Sequence, residues 1–85
     1  MSVQDLQASL QRVADQARGY NDLLKKFKSK NDEDLSDAQE ALSGNRTGTA
    51  GEVKSSLDEA GAAIEEAARA MDEAASAAEA YAQNI

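Results

Sequence analysis

Residues Thr49 to Ile85 read TAGEVKSSLDEAGAAIEEAARAMDEAASAAEAYAQNI, the most regular stretch of the chain. Within it Val53, Leu57, Ala60, Ile64, Ala67, Met71, Ala74, Ala78, Tyr81 and Ile85 follow one another at alternating steps of four and three, which is an unbroken a/d seam. The flanks of that seam are small, with Gly61, Ala68, Ala75 and Ala82 on one side and Ser56, Ala63, Ala70 and Ala77 on the other. Acidic residues fall on the opposite face as Asp58 and Glu59, Glu65 and Glu66, Asp72 and Glu73, and then Glu79. An apolar face this broad meets neighbours on two sides, so the stretch predicts one wall of a helical bundle.

Upstream, Val3, Leu6, Leu10, Val13, Ala17, Tyr20, Leu24 and Phe27 form a second heptad series, widened by Leu23. The large residues are here, complementary to the small-residue wall downstream, and large facing small is how helices interdigitate at close range. Ser2 with Asp5 in the first turn is a capping-box start. Beyond Phe27 the next apolar residues are Leu35, Ala38 and Leu42, so the pattern steps through polar Asn31. Two readings follow. The helix runs on, or is merely kinked, through an eleven-residue step, or it breaks near Ser29 to Asp32 with Asn31 capping a short new helix. The lack of Pro or a Gly pair favours the first.

The run Ser43 to Gly51 is the punctuation between the halves. Gly44 suits the position just past a helix end, where positive φ is needed, and Thr49 with Glu52 is a capping box for the next helix. The expected architecture is therefore all-α, with one domain over 1–85: a helix over about 3–42, a turn over about 43–49 and a helix over about 50–84. Helices of about 40 and 35 residues are about 60 and 50 Å long, which makes an elongated antiparallel hairpin. Its expected core is Leu6, Leu10, Val13, Tyr20, Leu24 and Phe27 against Leu57, Ile64 and Met71.

With 85 residues and no Cys, the chain has a small core and nothing to staple it. Many of its apolar residues are Ala, and burial of a methyl-sized group contributes about 0.8 kcal/mol against roughly 1.5–3 for a Leu, Val or Phe. A lone hairpin is marginal on those terms. Pairing into a four-helix bundle is expected, as a homodimer or a heterodimer, with Ala63, Ala67, Ala70, Ala74 and Ala78 admitting the other chain closely.

The net charge of −7 argues against nucleic acid and anionic membranes. No apolar run is long enough for membrane insertion, and the N-terminus lacks the basic-then-apolar layout of a cleaved signal peptide. Residues 1–30 carry six Lys/Arg against three Asp/Glu, and residues 52–85 carry two against eight, so a hairpin lays opposite charges side by side. Lys25, Lys26, Lys28 and Lys30 read as a solvated face or an ion-pairing edge rather than a phosphate or anionic-lipid patch, since Asp32, Glu33 and Asp34 follow directly.

The absence of His and Cys removes the commonest nucleophile, base and metal-ligand residues, and acidic pairs recurring every seven residues solvate a face rather than build a pocket. No catalytic residue, cofactor or metal site is expected. Gly44, Gly48 and Gly51 lack phosphate-loop spacing, and Asn45-Arg46-Thr47 matches the three-residue glycosylation acceptor pattern.

This layout resembles the WXG family, the ESAT-like substrates of type VII secretion: acidic or neutral helical hairpins without cleaved signal peptides that turn at Trp-Xaa-Gly. Leu42-Ser43-Gly44 stands in that place, with Leu42 for Trp. Tyr81 falls where the family carries the Tyr of its C-terminal export motif, and Ile85 stands four residues on, where that motif has an acid. Small Ala-rich hairpins of this kind also resemble the companions of type VII polymorphic toxins. The resemblance implies a non-enzymatic hairpin that pairs with a related hairpin or a toxin N-terminal domain, engages a secretion ATPase, and passes from the cytoplasm to the exterior without a cleaved signal peptide. The alternative is a cytoplasmic coiled-coil adaptor unconnected with secretion.

Overall fold

The computed structural model describes residues 2–43 and 48–85, with Thr49 described by its backbone alone. Two helices, α1 (Val3–Ala41) and α2 (Gly48–Gln83), pack antiparallel in a hairpin with extents of 64 × 16 × 15 Å. Gly44, the Asn45-Arg46-Thr47 acceptor pattern and the Thr49 side chain lie outside the described residues. The α1 start is the expected capping box: Asp5 N donates to Ser2 Oγ at 3.0 Å and Ser2 N to Asp5 Oδ2 at 3.3 Å. At its other end Leu42 N donates to Ala38 O at 2.9 Å and Ser43 N to Glu40 O at 3.3 Å.

α1 runs unbroken through residues 28–34, because Asn31 is a seam residue and not a cap. The residues of α1 turned towards α2 are Gln7, Leu10, Ala14, Ala17, Asn21, Leu24, Lys28, Asn31, Leu35, Ala38 and Leu42, all buried or half-buried. Their steps alternate three and four without interruption. On α2 the matching series is Leu57, Gly61, Ile64, Ala68, Met71, Ala75, Ala78 and Ala82. Both helices therefore place one expected row in the seam (Leu10, Ala17, Leu24; Leu57, Ile64, Met71, Ala78) and replace the other by the row one residue later. In heptad letters the first row is d and the second is a.

Three carboxamides of α1 fix the register. Gln7 Nε2 donates to Ala82 O at 3.0 Å, Asn21 Nδ2 to Ala68 O at 2.6 Å and Asn31 Nδ2 to Leu57 O at 3.1 Å. Each reaches a main-chain carbonyl of α2. The Ala82 carbonyl is among the last of its helix and has no partner within it. Midway between the Gln7 and Asn21 layers, Ala14 meets Ala75, both wholly buried, with Ala17, Ala78 and Leu10 around them. At the Lys28 layer a side chain on Gly61 would be crowded: a Cβ there would stand 3.0 Å from Asn31 Nδ2 and 3.4 Å from Lys28 Cε, and those side chains would have to give way by a few tenths of an ångström. Small residues occupy the line between the axes because they let the backbones approach closely enough for side-chain amides to bridge them.

Candidate docking face

The large residues displaced from the seam line one flank. Heptad rows stand about 50° apart around a helix, so Val13, Tyr20 and Phe27, one residue before the a positions, lie beside the seam and not in it. They are 49%, 56% and 53% exposed, and Leu23, further round on the same side, is 48% exposed. This corrects the expected hairpin core: Leu10, Leu24, Leu57, Ile64 and Met71 pack between the helices, Leu6 is half-buried at the edge, and Val13, Tyr20 and Phe27 do not enter the seam. Ala is small enough to take the central line, and a bulky side chain there would hold the helices apart.

Because the helices run antiparallel, the same heptad flank of each points to the same side of the hairpin. The α2 contribution is Val53, Ala60, Ala67, Ala74 and Tyr81, with Ala63, Ala70 and Ala77 beyond them, all exposed except half-buried Ala67. Four of the five Ala residues expected to admit a second chain, Ala63, Ala67, Ala70 and Ala74, are on this face, whereas Ala78 is buried in the hairpin seam. From Leu6 to Phe27 the face is about 30 Å long at 1.5 Å per residue, and its two innermost rows contain no charged residue over that length.

Charge is gathered on the opposite flank. Arg18 pairs with Glu79, and Lys28 reaches Asp32 at 2.5 Å and Glu65 at 3.5 Å, so two ion pairs join the helices on that side. The hydrogen bond from Arg18 holds the Glu79 carboxyl below its ordinary range, with smaller help from the Arg18 charge and Gln11. Lys28 is raised, first through its hydrogen bond to Asp32. The Lys25, Lys28 and Arg69 side chains share their groove with Glu65 and Asp72, so the basic cluster is an ion-pairing edge in part: Lys30 bonds Glu33 at 3.4 Å along α1 itself.

A depressed carboxyl stabilises the fold above its unfolded pKa, and the contribution disappears as pH falls through the folded pKa. The stability difference between the wild type and Glu79→Gln is therefore expected to be constant at neutral pH and to shrink below about pH 4.5, the ordinary value for the group. Urea melts of both proteins across pH 3–7 measure it. A difference independent of pH would mean that the Arg18 pair contributes nothing to the hairpin.

Among the described residues no three His, Cys, Asp or Glu side chains gather to hold a metal ion, and no helix is long and apolar enough to cross a membrane. Leu42, of the expected turn motif, is half-buried and shares a groove with Ala38 and Ala50, while Ser43 is exposed. Tyr81 and Ile85 are both exposed at the end of α2.

No family model, curated protein or solved structure matches this chain.

The site residues that sequence reasoning missed are the carboxamides Gln7 and Asn21; the favoured reading of a helix running on through Asn31 holds, but the bond from Asn31 to the opposite main chain was not foreseen. The signal for them was the spacing of Gln7, Ala14, Asn21 and Lys28 every seven residues, facing Gly61, Ala68, Ala75 and Ala82 at the same interval. The flank with the ion pairs is polar, and the flank with Val13, Tyr20 and Phe27 is apolar and faces solvent.

Proposed function

We propose that this chain is a non-catalytic pairing module whose apolar flank completes a four-helix bundle with another helical hairpin or helical domain. The observation that carries this reading is the uncharged, solvent-facing row Val13, Tyr20, Leu23 and Phe27 beside the Ala floor of α2. Exposed apolar surface of this continuity marks interaction sites in soluble proteins. Ala67→Glu or Ala74→Glu places a carboxylate in the middle of that face, where burying an unpaired charge costs about 3–5 kcal/mol. Association should weaken by a factor of 100 or more, read by light scattering. An unchanged particle mass would remove this face as the interface.

The resemblance to ESAT-like hairpins extends the proposal to export as, or together with, a type VII secretion effector, with Tyr81 exposed near the end of α2 for recognition by the secretion machinery. Tyr81→Ala should then remove the protein from the medium of its host while its cellular level holds. Export of the variant at the wild-type level would sink that extension. Ile85, standing where the export motif has an acid, favours the second reading, a cytoplasmic adaptor that uses the same face without secretion.

A further inference from the structure

Resting on the pairing reading above, we infer that the occupant of the apolar flank is a second copy of this chain, lying parallel to the first with the two turns at the same end. A monomer of 9.0 kDa ordinarily exposes about 4,900 Å². This hairpin exposes 6052 Å², about 1,200 Å² more, against the roughly 800 Å² that each partner of a stable complex buries. The surplus comes from the elongated two-helix build and exceeds the area that one partner of a stable complex buries.

The arrangement follows from how large and small residues are shared between the helices. The register set by Gln7 on Ala82 and Asn21 on Ala68 brings flank residues to common levels: Val13 beside Ala74, Tyr20 beside Ala67 and Phe27 beside Ala60. At these three levels α1 supplies the bulk and α2 the floor. A two-fold axis parallel to the long axis of the hairpin sets α1 of one copy over α2 of the other at unchanged level. Three of the large residues then face an Ala, Tyr20 over Ala67, Phe27 over Ala60 and Val13 over Ala74, and at the open end Leu6 meets Tyr81. A two-fold axis across the hairpin sets α1 on α1 and α2 on α2 instead, so that Tyr20 and Phe27 collide with their own row while the two Ala floors cannot meet.

The net charge of each helix adds a long-range preference for the same arrangement. Residues 1–30 of α1 carry six basic against three acidic residues, and residues 52–85 carry two against eight. With turns together, the basic half of each α1 lies along the acidic α2 of the other copy. In the opposed arrangement like lies on like along both pairs. The acidic row Asp58, Glu65, Asp72 and Glu79 belongs to the far flank in either case, so it is not buried by the pairing, and Asp34, seven residues after Phe27, ends the uncharged row.

The chain has no Cys, so a single spin label at Ser43→Cys, exposed at the turn end, reports the arrangement directly. Light scattering should give twice 9.0 kDa, and pulsed dipolar spectroscopy of the labelled protein should give a distance under about 35 Å, set by bodies 16 × 15 Å in section. Label at Ser2→Cys, near the other end, should also give a short distance. A dimer with Ser43 labels roughly 60 Å apart, the length of the helices, overturns the parallel arrangement. A monomer at every concentration overturns the second copy as occupant. The pairing reading fails separately, if a photo-crosslinking residue in place of Ala70 captures no helical chain that one in place of Glu66 does not also capture.

Discussion

Asn21→Asp is expected to cost the hairpin about 3 kcal/mol at neutral pH, lowering its melting temperature by roughly 10–20 °C. Asn21 is buried, with its amide 2.6 Å from the Ala68 carbonyl oxygen. The substitution preserves shape and reverses chemistry: a donor facing an oxygen becomes an ionised acceptor facing an oxygen. Lys25, Lys28 and Arg69 line the same groove, with Glu65 and Asp72 among them, so the introduced carboxyl has cations within reach, and the loss stays below that of an isolated buried charge. Asn21→Ala separates the contributions, since it removes the bond without adding charge and should cost only about 1 kcal/mol. The pH dependence has a definite sign. A carboxyl placed against a carbonyl oxygen titrates above its unfolded pKa of about 3.9, so the penalty is absent below that value, grows as pH rises through the folded pKa and then stays constant. Helicity of the variant should therefore recover towards the wild type on acidification, opposite in direction to the contribution of Glu79. Thermal melts by circular dichroism from pH 3 to 7 check both points. Equal losses for Asn21→Asp and Asn21→Ala would show that the amide bond to Ala68 does not form.

The hairpin itself was legible because two signals agreed over most of the chain: heptad spacing through both halves and a Gly-rich stretch between them. The row in contact was legible only by half. Leu10, Leu24, Leu57, Ile64 and Met71 were found because they are large and apolar, and their positions serve any seam drawn through the helices. Val13, Tyr20 and Phe27 were chosen for the same reason and belong to the flank. Hydrophobicity ranks residues by how much they gain from burial, whereas the line of closest approach between two helices is taken by residues small enough to allow it. Ala14, Ala68, Ala75 and Gly61 satisfy that condition. The continuity of α1 through Asn31 was legible from the lack of Pro or a Gly pair, but its bond was not, for a related reason: in sequence a polar residue between apolar ones looks like an interruption, yet at an Ala- and Gly-lined seam its amide reaches the opposite main chain. The polar flank was more legible, since charge balance along the chain already placed basic residues of α1 against acidic residues of α2, as Arg18 with Glu79 and Lys28 with Glu65 show.

Adding the same side chain at two adjacent positions separates the seam from the flank. Ala75 is wholly buried in one cluster with Ala14, so Ala75→Leu forces the helices apart at the centre of that small-residue stretch. Overpacking of this kind costs about 1–3 kcal/mol. Here the separation also lengthens the carboxamide bonds of Gln7 and Asn21, one layer to either side, which places the variant at the upper end of that range. Against a total stability of about 4 kcal/mol for a marginal chain of this length, Ala75→Leu should leave about 1 kcal/mol and a measurable unfolded fraction at 37 °C. Its neighbour Ala74 is exposed on the apolar flank, where a Leu meets nothing within the hairpin and keeps a good helix propensity. Any effect of Ala74→Leu acts through association and so depends on protein concentration, whereas the loss caused by Ala75→Leu does not. Urea midpoints measured over a hundredfold range of concentration distinguish the two. If Ala74→Leu were instead the concentration-independent, destabilising member of the pair, the seam would run through Val13, Tyr20 and Phe27, and the flank proposed for docking would be the interior of the hairpin.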